Sequence, residues 1–242
     1  GIHNAGFLLK LSKCFWIIES KLELFGWVVD IQRSLLYPPQ DRLQELQNLE
    51  RPKTQRQCRG LVGSLLVYHD AIPLLNAVLK PLHELNAHGR KFTWTDAAEK
   101  SFLKTKTILA KYALLHLPDF SRPFFLLTDS AKGQYGHYAI AQRHKTTDQL
   151  VVLKHGSVPY TGSVALYSQI KSELYIGIHA LANNAIFFVY STSFWITDAA
   201  ALQHLIVFRH SNSIMHAWSC FITSLNLFIL PVPNTNAHLR FI

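Results

Sequence analysis

Pro123-Phe-Phe-Leu-Leu-Thr-Asp-Ser-Ala-Lys-Gly-Gln-Tyr-Gly-His-Tyr-Ala-Ile-Ala-Gln142 is the stretch on which the fold turns. An apolar run, Phe124 to Leu127, ends in a single carboxylate, Asp129. A turn of small residues with Gly133 and Gly136 follows, and then a second strand-like run from Tyr138 to Ala141. The pattern predicts a β-hairpin whose first strand is buried and delivers one acid to the edge of a sheet.

The surrounding chain has 242 residues, 49% of them apolar and 16% charged, enough to bury the core of one large domain or two small ones. That composition excludes a disordered chain. A net charge of +9 favours a polyanionic partner, either nucleic acid or an anionic membrane surface. Cys14, Cys58 and Cys220 are far apart, with no CxxC pair and no histidine at zinc spacing, so they read as thiols of a reducing compartment. With no signal pattern and no Asn-x-Ser/Thr acceptor, an intracellular location, cytoplasmic or nuclear, is expected. Ile214 to Val232 is mostly apolar and uncharged, which admits a membrane span. His216, Ser219, Ser224 and Asn226 interrupt it and Pro231 and Pro233 close it, so a buried helix followed by a buried strand is expected and no membrane partner.

Upstream of the hairpin, Leu22 to Val29 is strand-like with Gly26 inside it, and Pro38-Pro39 marks a break. Helical periodicity then takes over. Asp41 is placed to cap a first helix carrying Leu43, Leu46 and Leu49, and Thr54-Gln-Arg-Gln57 has the form of a capping box opening a second. A third helix is expected over about Leu74 to Leu85 and a fourth from Asp96, with Ala98, Phe102, Leu109 and Ala113 on its apolar side. Arg56, Arg59, Lys100 and Lys104 project elsewhere; each alone reads as solvated surface, and together they make a phosphate-tracking surface.

Residues 1 to 120 hold eleven acids, but residues 121 to 242 hold only Asp129, Asp148, Glu173 and Asp198. Asp148 lies in a polar turn, whereas the other three sit in apolar settings. Asp129 and Asp198 end strands, and Glu173 lies in a helix over Leu166 to Leu181 beside a stripe of Ile170, Leu174, Ile178 and Leu181. Acids so placed are costly unless paired or bound to metal. Hard divalent cations prefer oxygen ligands, and two of them flanking a phosphodiester activate a water and stabilise the leaving oxygen. The plainer account has Asp129 capping the turn, Asp198 capping a helix that begins at Ala199, and Glu173 snorkelling to solvent.

The order strand-Thr-Asp129-Ser, then Tyr167-Ser-Gln-Ile-Lys-Ser-Glu173-Leu, then Phe194-Trp-Ile-Thr-Asp198, resembles the ribonuclease H domain of gypsy-type LTR retrotransposon reverse transcriptases. Ser12-Lys-Cys14-Phe and Leu24-Phe-Gly26 resemble the end of a polymerase palm. Arg51-Pro-Lys-Thr54 through Gly63, with Tyr68 and Ile72-Pro73, resembles the thumb. Phe92-Thr-Trp94-Thr and Leu115 to Asp119 resemble the tether that follows. The resemblance divides the chain into a palm end (1–36), a helical thumb and tether (37–117) and an RNase H-like domain (118–242), an α/β mixed sheet with flanking helices. It implies cleavage of the RNA strand of an RNA/DNA hybrid with two magnesium ions held by Asp129, Glu173 and Asp198. Lys132 and Gln134 then meet the hybrid backbone, and the polymerase portion of the same polyprotein is the protein partner. Little base-sequence preference is expected, because hybrids are read by shape.

Four departures bear on activity. No Tyr-x-Asp-Asp turn is present, so no polymerase activity is expected from this chain. Asn234-Thr-Asn-Ala-His238 puts a histidine where the family carries a fourth acid, a ligand that weakens a second magnesium site and favours manganese. Ala199 replaces a histidine, and only a short tail remains for a final helix. A ribonuclease, a non-catalytic relic that still binds nucleic acid, and a membrane-associated protein are therefore the three readings the sequence carries.

Overall fold

A computed structural model of the chain describes residues 20–87, 91–112, 114–202 and 213–232. Cys14, the Ser12–Phe15 segment, Ala113 and the Asn234–His238 motif lie outside the described residues.

The strand expected over Leu22 to Val29 is instead a hairpin of β1 (Lys21–Leu24) and β2 (Trp27–Asp30). Phe25 and Gly26 form its turn, both at positive φ, the backbone that tight hairpins need. β3 (Leu35–Tyr37) continues the antiparallel sheet, and its fourth strand comes from far along the chain: β4 (Leu115–His116) pairs with β3.

Four helices separate β3 from β4: α1 (Gln40–Asn48), α2 (Gln55–Leu66), α3 (Leu75–Leu85) and α4 (Asp96–Tyr112). Asp41 sits in the first turn of α1 and not at its cap, because Pro39 holds the extended cap position itself. Thr54 caps α2, its hydroxyl accepting from the Gln57 N–H at 3.2 Å. The returning Gln57 side chain accepts from Lys53 N–H at 2.8 Å, one residue before the expected capping-box partner. Leu61, Leu65, Leu79, Leu82 and Phe102 bury the apolar sides of these helices in one core, each worth roughly 1.5–3 kcal/mol of transfer free energy. Trp27 packs edge-on against Tyr68, whose hydroxyl donates to Gly26 O, so the small sheet is fastened to the helices.

The second sheet contains β5 (Phe124–Ala131), β6 (Tyr135–Arg143), β7 (Leu150–Pro159), β8 (Ser193–Thr197) and β9 (Leu227–Pro231). Its spatial order is β7-β6-β5-β8-β9, antiparallel through the first three and parallel from β5 to β9. α5 (Gln169–Asn183) makes the crossover from β7 to β8, followed by the short α6 (Ala185–Phe188), and α7 (Ser213–Thr223) precedes β9.

α5 lies close on the sheet because Gly177 faces Trp195. A Cβ there would stand 1.9 Å from the indole, and Trp195 is wholly buried. Ala71, Leu115 and Val152 form a small core with Trp27 and Leu36 that joins the helices, the first sheet and β7. The apolar C-terminal stretch does form a helix and a strand, but within α7 only Ile222 is buried, and β9 alternates half-buried and exposed residues. Among the described residues no helix is long and apolar enough to cross a membrane.

Candidate active site

Asp129 lies two residues short of the β5 end, half-buried, with His137 directly across the antiparallel pair. On its other side the parallel register ends at Leu127 opposite Ile196. Continuing it two residues puts Asp129 level with Asp198, across a strand spacing of about 4.8 Å. Asp198 immediately follows β8 and is exposed. The neighbouring parallel strands β5 and β8 therefore each carry an aspartate at the carboxyl end.

The third acid arrives from above. Ser168 caps α5, and burial along the helix falls on Glu173, Leu174, Gly177, Ala180 and Leu181. The expected stripe is thus turned: Ile170 is 42% exposed and Glu173 is only 1% exposed. A snorkelling Glu173 is ruled out by that burial. Gln169, one turn earlier on the same face, donates from Nε2 to Ser130 O at 2.9 Å and to Glu173 Oε1 at 3.0 Å. One amide thereby fixes the carboxylate and ties the helix to the residue after Asp129. Ser130 is fixed from the other side by a 2.8 Å hydroxyl contact with Tyr160.

Glu173 Oε2 is buried with no hydrogen-bond partner. Burial, then the charges of Asp198 and Asp129, push the Glu173 carboxyl up to about 7. The glutamate therefore senses both aspartates. Like charges in that position repel, and among the described residues no three His, Cys, Asp or Glu side chains are gathered into a metal-holding group. The donor set is nevertheless all oxygen, and Oε2 is left without a hydrogen bond, which a hard cation would satisfy. No helix begins at Ala199: its N–H goes to Thr197 Oγ1, the Asp198 carbonyl accepts from Ala200 N–H, and helix starts only at Ala201.

Lys132 and Gln134 are exposed in the β5–β6 turn, at the same end of the sheet as the acids. Gly133 takes positive φ there. Arg56 and Arg59 are exposed on α2, and Lys100 and Lys104 on α4. Both helices pack on α3, so the two pairs flank a third helix and stand on a core separate from that of the acids. Sequence reading missed Gln169 and His137. The four-residue spacing from Gln169 to Glu173 and the hairpin register around Gly133 were the signals that could have found them.

A family model of the RNase H-like domain found in reverse transcriptase matches residues 94–194. The Pol polyprotein of Feline endogenous virus ECE1 is 26% identical over 117 residues, covering 48% of this chain and 11% of that polyprotein. The Transposon Tf2-3 polyprotein of Schizosaccharomyces pombe is 23% identical over 143 residues, 59% of this chain and 10% of its own length. The chain thus spans about a tenth of these relatives. The foamy viral protease-reverse transcriptase, solved in complex with RNA/DNA hybrid, superposes with a TM-score of 0.72 at 14% identity, over 88% of this chain and 29% of that one. The chain has an RNase H-like fold and is similar to the reverse transcriptase and RNase H region of retroelement polyproteins.

Proposed function

We propose that this chain is the thumb and RNase H part of a gypsy-type LTR retroelement reverse transcriptase, and that it hydrolyses the RNA strand of RNA/DNA hybrids inside the cell. The observation that carries this reading is Glu173: a buried carboxylate with one orphaned oxygen, electrostatically coupled to two aspartates on adjacent strand ends. In a fold of this class, such an uncompensated set suits divalent cations better than it suits packing.

Asp129, Glu173 and Asp198 would hold the ions, and Gln169 keeps Glu173 in place. When bound, two magnesium ions would supply an activated water and charge stabilisation for the leaving oxygen. The Glu173 carboxyl is pushed up to about 7, and holding a cation would require it to be ionised. Lys132 and Gln134, exposed at the same end of the sheet, would meet the substrate backbone, and a relative of this fold was solved with such a hybrid. The polymerase portion of a polyprotein is the proposed protein partner. With His238 in the fourth position, manganese is expected to support the reaction better than magnesium.

A second reading, a non-catalytic nucleic-acid-binding relic, is favoured by the lack of a preassembled metal-holding group among the described residues. Cleavage of a labelled hybrid, with single-stranded RNA as the control, separates the two. The ribonuclease reading expects metal-dependent cutting of the hybrid alone, abolished by Asp129→Asn. A folded wild-type chain that is inert with both magnesium and manganese, yet binds hybrid equally well with and without Asp129→Asn, establishes the relic.

A further inference from the structure

We propose that the cleft between the β2–β3 turn and the β6–β7 end of the second sheet is a docking site for the phosphate backbone of a nucleic-acid duplex, separate from the acid cluster. The proposal rests on the reading of nucleic acid as the substrate, but not on catalysis.

The cleft encloses about 520 Å³ and is lined by Arg33, Arg122, Arg143 and Lys145 with one acid, Asp119. Asp119 is already satisfied: its carboxylate accepts from Ser121 N–H and hydroxyl and pairs with Lys145 Nζ at 3.0 Å. Arg122 and Arg143 are held in place. Arg122 Nη1 donates to Arg143 O at 2.6 Å, and Arg143 donates to Asp148 while its guanidinium lies over the Phe125 ring. Beneath them Gln142, only 3% exposed, uses its side-chain amide to bind Asp119 N, Asp119 O and Arg122 O, which pins the linker to β6. Guanidinium groups so preorganised lose little freedom on meeting a phosphate, and their fork matches its oxygens.

The cleft belongs to neither sheet alone. Arg33 comes from the turn after β2, and Arg122 and Arg143 flank the start of β5 and the end of β6. Asp129 lies six residues further along β5 from Pro123, about 20 Å at the rise of an extended strand. A duplex held here reaches the acids only by running along the sheet, so the cleft fixes the direction of the bound strand.

The test is fluorescence anisotropy of a labelled RNA/DNA hybrid with the full chain, in chelator, from about 50 to 200 mM salt. Arg33→Gln with Arg122→Gln is expected to weaken binding at least about 10-fold near 100 mM salt and to reduce the salt slope by about 2. Lys80→Gln with Lys91→Gln makes the same charge change at exposed positions outside the cleft and is expected to cost less than about 2-fold. Equal losses in both pairs, or no loss in either, overturn the proposal, as does a loss seen only with anionic lipid vesicles. If the first pair lowers the melting midpoint, Arg33→Gln alone decides, with a slope change of about 1 supporting docking and none refuting it. Binding without cleavage refutes the ribonuclease alone, and cleavage with cleft-independent binding refutes the cleft alone.

Discussion

Replacing Glu173 by Gln keeps the shape of the side chain and removes its charge at every pH. The Glu173 carboxyl, ordinarily at 4.5, is pushed up to about 7 by burial and by Asp198 and Asp129. Between those values the folded protein keeps a proton that the unfolded chain has released, so stability falls as pH rises from about 4.5 to about 7. Each unit is worth about 1.4 kcal/mol, giving roughly 3 kcal/mol in total above pH 7. In chelator, Glu173→Gln is therefore expected to match wild type near pH 4.5 and to exceed it by roughly 3 kcal/mol at pH 8, about 6–12 °C in melting midpoint for a chain of this size. Adding magnesium or manganese should raise the wild-type midpoint more at pH 8 than at pH 5, since ligation needs the carboxylate, and should do little for the variant. Thermal melts at the two pH values, with and without metal, measure this. A variant less stable than wild type at pH 8, or a gap that does not change with pH, refutes the account of Glu173 as a strained, cation-seeking acid.

Gly177→Ala drives a Cβ to 1.9 Å from the Trp195 ring and is expected to cost about 2–3 kcal/mol in urea denaturation. Thr54→Ala removes the cap of α2 and should cost about 1 kcal/mol in the same assay. Burial holds His155 down at about 3, with His137 pushing the same way and Asp70 opposing. A depressed histidine contributes stability fully above about pH 6.5 and loses it as pH falls toward about 3. His155→Gln should therefore flatten the acid side of the stability profile by about 3 kcal/mol at about pH 4, and an unchanged acid limb would remove His155 as a cause.

The hairpin and the three acids were legible because local rules govern them. An apolar run, a glycine turn and a register fixed by that turn place Asp129, and an apolar stripe at helical spacing with one acid beside it places Glu173. The burial of Glu173 was only half legible. The stripe of Ile170, Ile178 and Leu181 suggested one face, but Gly177 and Ala180 let the sheet approach from another, and small residues at a close packing face carry no hydrophobic signal. Gly26 was read as a strand residue because its neighbours are apolar, whereas a hairpin turn at Phe25 and Gly26 depends on two positive φ angles that propensity alone does not reveal.

Least legible was the pairing that joins distant parts. Leu115 and His116 are too short a run to read as a strand, and they become one only because Leu35 and Leu36 present an open edge. Asp70 holds Lys154 at 3.3 Å, and its carbonyl accepts from His155 N–H, contacts with no sequence signature. The acid cluster follows from the register of one sheet and one helix, whereas the basic cleft exists only if β4 docks on β3 and the linker docks on Gln142. Local register is robust to changes elsewhere, but a cleft built from three segments is not. Substitutions in the β2–β3 turn or at Gln142 should therefore impair duplex binding while the acids remain in place, and changes at Gln169 should loosen the acids while the cleft survives. That separability makes docking and chemistry independent measurements on one chain.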